Sequence, residues 1–117
     1  MYELIIQSKK VSSDNFTVLV LKGEIDNTNV LGFIQKFNDF LLNFNDSNLV
    51  LDLQYFEYCN SQFLGFMIDV STRLSKLDKT FYVTNLQPQI YDSFDNMNLF
   101  QILKYEESLD TLIQGLI

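Results

Sequence analysis

The sequence lacks histidine and tryptophan, and it has one cysteine and one proline in 117 residues. Without His there is no Ser-His-Asp or Cys-His catalytic unit and no imidazole metal ligand. Cys59 alone can form no intrachain disulfide, no CxxC pair and no thiolate zinc site. Basic residues are also scarce: 8 Lys plus Arg stand against 15 Asp plus Glu, a net charge of −7. Phosphate neutralisation dominates nucleic-acid affinity, so a nucleic-acid partner is not expected. The charge favours a partner with a basic surface, or simply solubility. Apolar runs break off well short of the ~20 residues a spanning helix needs, so no membrane insertion is expected. The start Met1-Tyr2-Glu3-Leu4 lacks the basic region of a secretory signal, and a free Cys suits a reducing compartment. A cytoplasmic location is the expectation.

Hydrophobic residues make up 47% of the chain, and Phe alone contributes 11 residues. That share and this length suit one globular domain, 1–117. Strands are expected over 2–7 and 16–21, joined by turn residues Ser12, Ser13, Asp14 and Asn15. Gly23 then lets the chain turn. Val30, Ile34, Phe37, Leu41 and Phe44 step by four and three, which is one face of a helix. Asn27, Thr28 and Asn29 are candidate caps for it. The run Leu49-Val50-Leu51-Asp52-Leu53 suits a central strand buried on both faces.

A loop over 54–60 is expected next. Ser61 then serves as N-cap of a second helix with Phe63, Met67, Val70, Leu74 and Leu77 on one face. A strand over 80–84, a short helix opened by Pro88, a strand over 100–103 and a Ser108-capped terminal helix complete the chain. The order β-β-α-β-α-β-α-β-α predicts an α/β fold. It has a mixed, mostly parallel sheet of about five strands, four helices, and the first strand added antiparallel.

Candidate chemistry concentrates at the C-terminal ends of the parallel strands, where open α/β sheets carry their functional loops. Glu24, Asp26, Asp52 and Glu57 fall there, as a solvated acidic rim or as general acid and base. Cys59 has no activating base and reads as structural. Ser61 caps a helix or accepts a phosphate, whose roughly −1.5 to −2 charges the free N–H groups of a helix start tolerate. The Phe stripes at positions 33, 37, 40, 44, 63 and 66 read as core.

The run from Val50 through Asp52-Leu53 to Asn60-Ser61-Gln62-Phe63-Leu64-Gly65-Phe66 resembles the signature of STAS domains, the anti-sigma factor antagonist group. In that family a strand ends in Asp-Leu, and Asp-Ser-(Ser/Thr)-Gly-(Leu/Ile)-Gly opens a helix. Leu21-Lys22-Gly23-Glu24-Ile25-Asp26 is similar to the family's Gly-Glu-(Leu/Ile)-Asp, and the segment from Gln87-Pro88 to Leu99-Phe100 to its third helix. The resemblance covers nearly the whole chain.

It implies a non-enzymatic regulatory module without cofactor or metal. Such a module binds an anti-sigma factor serine kinase, is phosphorylated by it at Ser61, and is reset by a metal-dependent serine phosphatase. The implied docking face comprises Gly23, Glu24, Ile25, Asp26, Glu57, Asn60, Ser61, Gln62 and Phe63. The chain departs from the pattern at Asn60, which loses the acidic charge, at Gln62, which removes a second hydroxyl, and at Phe63, a bulky residue in place of Gly. The Gln62 and Phe63 departures favour an alternative role: a constitutive, unphosphorylated STAS subunit of a lipid-transport ATPase or sensory complex. A small acidic enzyme using Asp26, Asp52 or Glu57 is the remaining reading. It is opposed by the missing His and the lack of a Gly-rich phosphate loop.

Overall fold

The computed structural model describes residues 1–11 and 14–116, without the side chains of 8–11, 14, 15 and 116. Strand β1 (Tyr2–Val11) runs antiparallel to β2 (Asp14–Ile25), from Tyr2 opposite Gly23 to Val11 opposite Asp14. Ser12 and Ser13 of the expected turn lie outside the described residues. Helix α1 (Val30–Leu42) leads to β3 (Asn48–Asp52) and β4 (Phe56–Cys59). Helix α2 (Ser61–Ser75), β5 (Thr80–Thr84) and α3 (Pro88–Asn96) follow. A 3-10 turn (Leu99–Gln101), β6 (Lys104–Glu106) and α4 (Leu109–Leu116) close the chain. The sheet order is β1-β2-β3-β5-β6, and every pairing except β1 with β2 is parallel.

The sheet order follows from burial. All five residues of β3 are buried, as a central strand between two covered faces requires. Alternate residues of β2 and β3 feed two separate cores. Leu19, Leu21, Leu49 and Leu51 pack under α1, α2 and α3, with Phe33, Phe37, Phe63 and Phe94. Phe16, Val18 and Val50 face the other way and are covered by Leu112 of α4. At about 25 cal/mol per Å², burying each of these side chains contributes roughly 1.5–3 kcal/mol.

Three expectations are corrected. Gly23 does not end β2; the strand continues through Ile25 with a register shift between Gly23 and Glu24. Gly23 adopts φ +93°, and a Cβ there would lie 2.3 Å from the Met1 carbonyl oxygen, so only glycine allows this bulge. The expected loop 54–60 contains β4, paired in parallel with Gly23, Glu24 and Ile25 beyond the bulge. Fully buried Phe56 anchors it, and four residues are too few for periodicity to betray a strand. The expected strand 100–103 is instead a 3-10 turn, and the last strand is Lys104–Glu106. Asn98 enters the left-handed region at φ +58°, and Leu103 N–H donates to the Leu99 carbonyl at 2.9 Å. That one turn buries both Leu99 and Leu103.

Candidate functional site

The bulge at Gly23 builds the site. It swings the end of β2 away from β3 and onto β4, so Glu24 lies beside Tyr58 and Ile25 beside Cys59. The segment after β2 and the segment before Ser61 therefore leave the sheet side by side. Both emerge at the C-terminal edge of the parallel strands.

The start of α2 is set from below by aromatic packing. Phe63 is fully buried, with its ring centroid 4.9 Å from that of Phe56 and 5.6 Å from that of Phe33. From above it is set by a cap. Asn60, not Ser61, is the N-cap: the Phe63 N–H donates to Asn60 Oδ1 at 3.0 Å. Ser61 is the first helical residue and is exposed. Its hydroxyl has no hydrogen-bond partner among the described residues. The expectation that Ser61 caps the helix is thus corrected. An Asn one residue earlier has the extended backbone, at ψ 177°, that a capping residue needs.

The 26–29 loop is held by its own side chains. Asp26 N–H donates to Asn29 Oδ1 at 2.8 Å, and Asn29 Nδ2 donates to the Glu24 carbonyl at 3.0 Å. Asn29 precedes α1 but spends its carboxamide here instead of on a helix cap. The Thr28 hydroxyl and N–H both donate to Asp26 Oδ1, at 2.6 and 2.9 Å. These two Thr28 donors hold the Asp26 carboxyl below its usual range, so it is charged at neutral pH. The loop meets α2 through Asn60 Nδ2, which donates to Asn27 Oδ1 at 3.0 Å.

The implied docking residues divide into two groups. Glu24, Glu57, Ser61 and Gln62 are exposed, and Gly23, Asp26 and Asn60 are half-buried. Ile25 and Phe63 have 0% exposure and point into the core, so no partner reaches their side chains. Phe63 thus projects nothing towards a partner: its ring fills the space between α1, β4 and α2. The exposed rings beside the site are Tyr58 and Tyr55, and Lys22 Nζ lies 5.2 Å from the centre of the Tyr55 ring. The Glu57 carbonyl accepts from Gln89 Nε2 at 3.1 Å, which ties α3 to β4.

The other candidates are structural. Asp52 is buried, and its Oδ1 accepts from Gln54 N–H and Asn85 Nδ2, each at 3.0 Å, bracing the ends of β3 and β5. Burial pushes the Cys59 thiol up to about 11, which leaves almost no thiolate at neutral pH. Among the described residues no group of three or more His, Cys, Asp and Glu side chains is placed to hold a metal ion. Among the described residues no helix is long and apolar enough to cross a membrane. A cleft of about 270 Å³ lies at the far end of α2, lined by Ser71, Ser75, Lys79 and Lys104 among others. Sequence reasoning missed the roles of Asn27, Asn29 and Gln89. Their only signal is a run of polar residues after a strand, which reads equally well as a helix cap.

An α/β fold with an exposed hydroxyl at a helix start has counterparts among known proteins. The STAS domain model matches residues 7–112, and the chain belongs to that family. A crystal structure of an anti-sigma factor antagonist from Mycobacterium paratuberculosis superposes with a TM-score of 0.82 at 19% identity. It covers 98% of this chain and 93% of that one. The Bacillus cell fate determinant SpoIIAA in its phosphorylated form superposes with a TM-score of 0.65 at 15% identity, covering 97% and 100% of the two chains. A chain of the stressosome, described as a signal integration and transduction hub, superposes at 0.62 and 19% identity, covering 94% and 97%. A comparison with curated protein sequences finds no significant match.

Proposed function

We propose that this protein is an anti-sigma factor antagonist that binds an anti-sigma factor serine kinase and is switched by phosphorylation at Ser61. The observation that carries this reading is the division of labour at the α2 start. Asn60 caps the helix, which leaves the Ser61 hydroxyl exposed and unengaged. In the transfer, the Ser61 oxygen bonds the γ-phosphorus of ATP, the hydroxyl proton is lost, and ADP leaves. The product phosphate sits at the N-terminus of a 15-residue helix, where the helix dipole favours it. Glu24 and Asp26, brought to the same edge by the β2–β4 pairing, give the face a negative charge that suits a basic partner surface. Adding phosphate to that face changes what the partner meets while leaving the fold intact. A metal-dependent serine phosphatase would reverse the step.

Incubation with the cognate kinase and ATP, followed by phosphosite mapping, tests this. The expected result is one phosphate, on Ser61, and none on a Ser61→Ala variant. Unmodified Ser61, or unchanged partner binding by Ser61→Glu, would overturn the switch.

Exposed Gln62 beside Ser61 favours a second reading, a constitutive subunit of a sensory or lipid-transport ATPase assembly. The likeness to a stressosome chain fits the sensory version. It predicts co-purification with the assembly that Ser61→Asp does not disturb.

A further inference from the structure

We infer that Asn60 is a positioning residue whose single carboxamide couples the α2 start to the 26–29 loop, so that an acidic group on Ser61 is felt in that loop. The second half of this inference rests on Ser61 being the modified residue.

Hydrogen-bond chemistry fixes the orientation of the Asn60 side chain. The Phe63 N–H can only donate, so the atom facing it is Oδ1. Nδ2 is therefore the atom that meets Asn27, and Asn27 must answer with its own Oδ1. Among the described residues this is the one side-chain hydrogen bond between 26–29 and α2. The rest of the loop is stitched to itself and to the end of β2 through Asp26, Thr28 and Asn29. The backbone also ties the turn to α1, where the Val30 N–H donates to the Asp26 carbonyl at 3.0 Å, and Asn27 is the point at which its side chains are fastened to the helix that carries Ser61.

The acidic residue usual at this position in the family could make the cap but has no N–H to give. The carboxamide does both. Its two ends also respond differently to a charge on Ser61. A phosphoryl or carboxylate oxygen on the next residue is a stronger acceptor for Nδ2 than the amide oxygen of Asn27. Drawing Nδ2 away leaves Oδ1 on Phe63, so the helix start keeps its cap while the loop loses its fastening. A charge on Ser61 is then read as a loosened Asp26 turn, on the surface assigned to the partner.

Amide hydrogen exchange on the intact chain tests the fastening, with Asp26 and Thr28 N–H as reporters of the loop and Phe63 N–H as reporter of the cap. Asn60→Asp leaves a carboxylate that still caps and lets the Asn27 amide turn round and donate to it. Asn27→Asp leaves an acceptor for Asn60 Nδ2. Each single variant should keep loop exchange within about twofold of wild type. The double variant sets two carboxylates against each other and should speed Asp26 and Thr28 exchange roughly three- to tenfold, the span expected for one lost hydrogen bond. Uncharged Asn27→Ala should match the double variant. A double variant no faster than the product of its singles, or an Asn27→Ala protein exchanging like wild type, overturns the inference. Ser61→Glu should reproduce the fast loop with Phe63 exchange unchanged. A loop unmoved by Ser61→Glu also overturns it. If Ser61→Glu loosens the loop yet partner affinity stays at the wild-type value, the inference stands and the proposed switch fails.

Discussion

The α2 start has a floor and a rim, and they are held by different forces. Below Ser61 lie Phe63, Phe56 and Phe33, buried and ring against ring. Beside Ser61 lies the 26–29 loop, held by five side-chain hydrogen bonds that are mostly exposed to water. Burying an aromatic ring stabilises by several kcal/mol, whereas an exposed hydrogen bond contributes about 0.5–1.5 kcal/mol. The floor therefore fixes where Ser61 stands, and the rim can be rearranged without unfolding the protein. The proposed switch, in which a docking face changes when a phosphate arrives, calls for this combination.

The largest test of the contrast is Phe63→Ala. Removing a fully buried ring should cost about 3–5 kcal/mol, read as a lower denaturant midpoint. A loss below about 1 kcal/mol would mean that the floor is not what holds the helix start. Ser61→Glu should act the other way round. Partner affinity, measured by calorimetry, should fall tenfold or more, about 1.4 kcal/mol, while the unfolding midpoint moves little. Equal effects on both would erase the distinction between floor and rim.

Asn60→Ala removes the cap and should destabilise by about 1 kcal/mol in chemical unfolding. The pH dependence should separate the regions too. Asp26 has its folded pKa lowered by the Thr28 donors, so its stabilising contribution is present above the ordinary carboxylate value of 3.8. It is lost as pH falls through the lower folded value. Acid titration of Asp26→Asn should lack that component. Cys59 has the opposite sign. Its folded pKa is raised from 9.0 to about 11 by burial, so its linkage leaves stability untouched below pH 9 and erodes it as pH rises towards 11. At neutral pH its alkylation should be slower than that of the same thiol in the unfolded chain, timed side by side.

The long elements were legible in the sequence. Apolar residues spaced by four and three mark α1 and α2, and a continuous apolar run marks β3 as doubly covered. Pro88 opens α3 and Ser108 caps α4, accepting from Thr111 N–H at 3.1 Å. Short pieces were not legible. β4 and β6 are four and three residues long, and each owes its strand geometry to a neighbour already in the sheet. The Asn60 cap was also missed, because Asn and Ser are nearly equal as caps and stand next to each other.

By itself the sequence determined the α/β order, the two-faced central strand and the motif that contains Ser61. These depend on local periodicity and residue chemistry, which the linear chain carries in full. Only the tertiary structure decided that Gly23 is a bulge, that Phe63 and Ile25 face inward, and that Asn60 reaches across to Asn27. Each depends on a contact between segments more than 20 residues apart, such as Met1 over Gly23 or β2 beside β4. The folded packing chooses among side-chain partners that the sequence leaves equal.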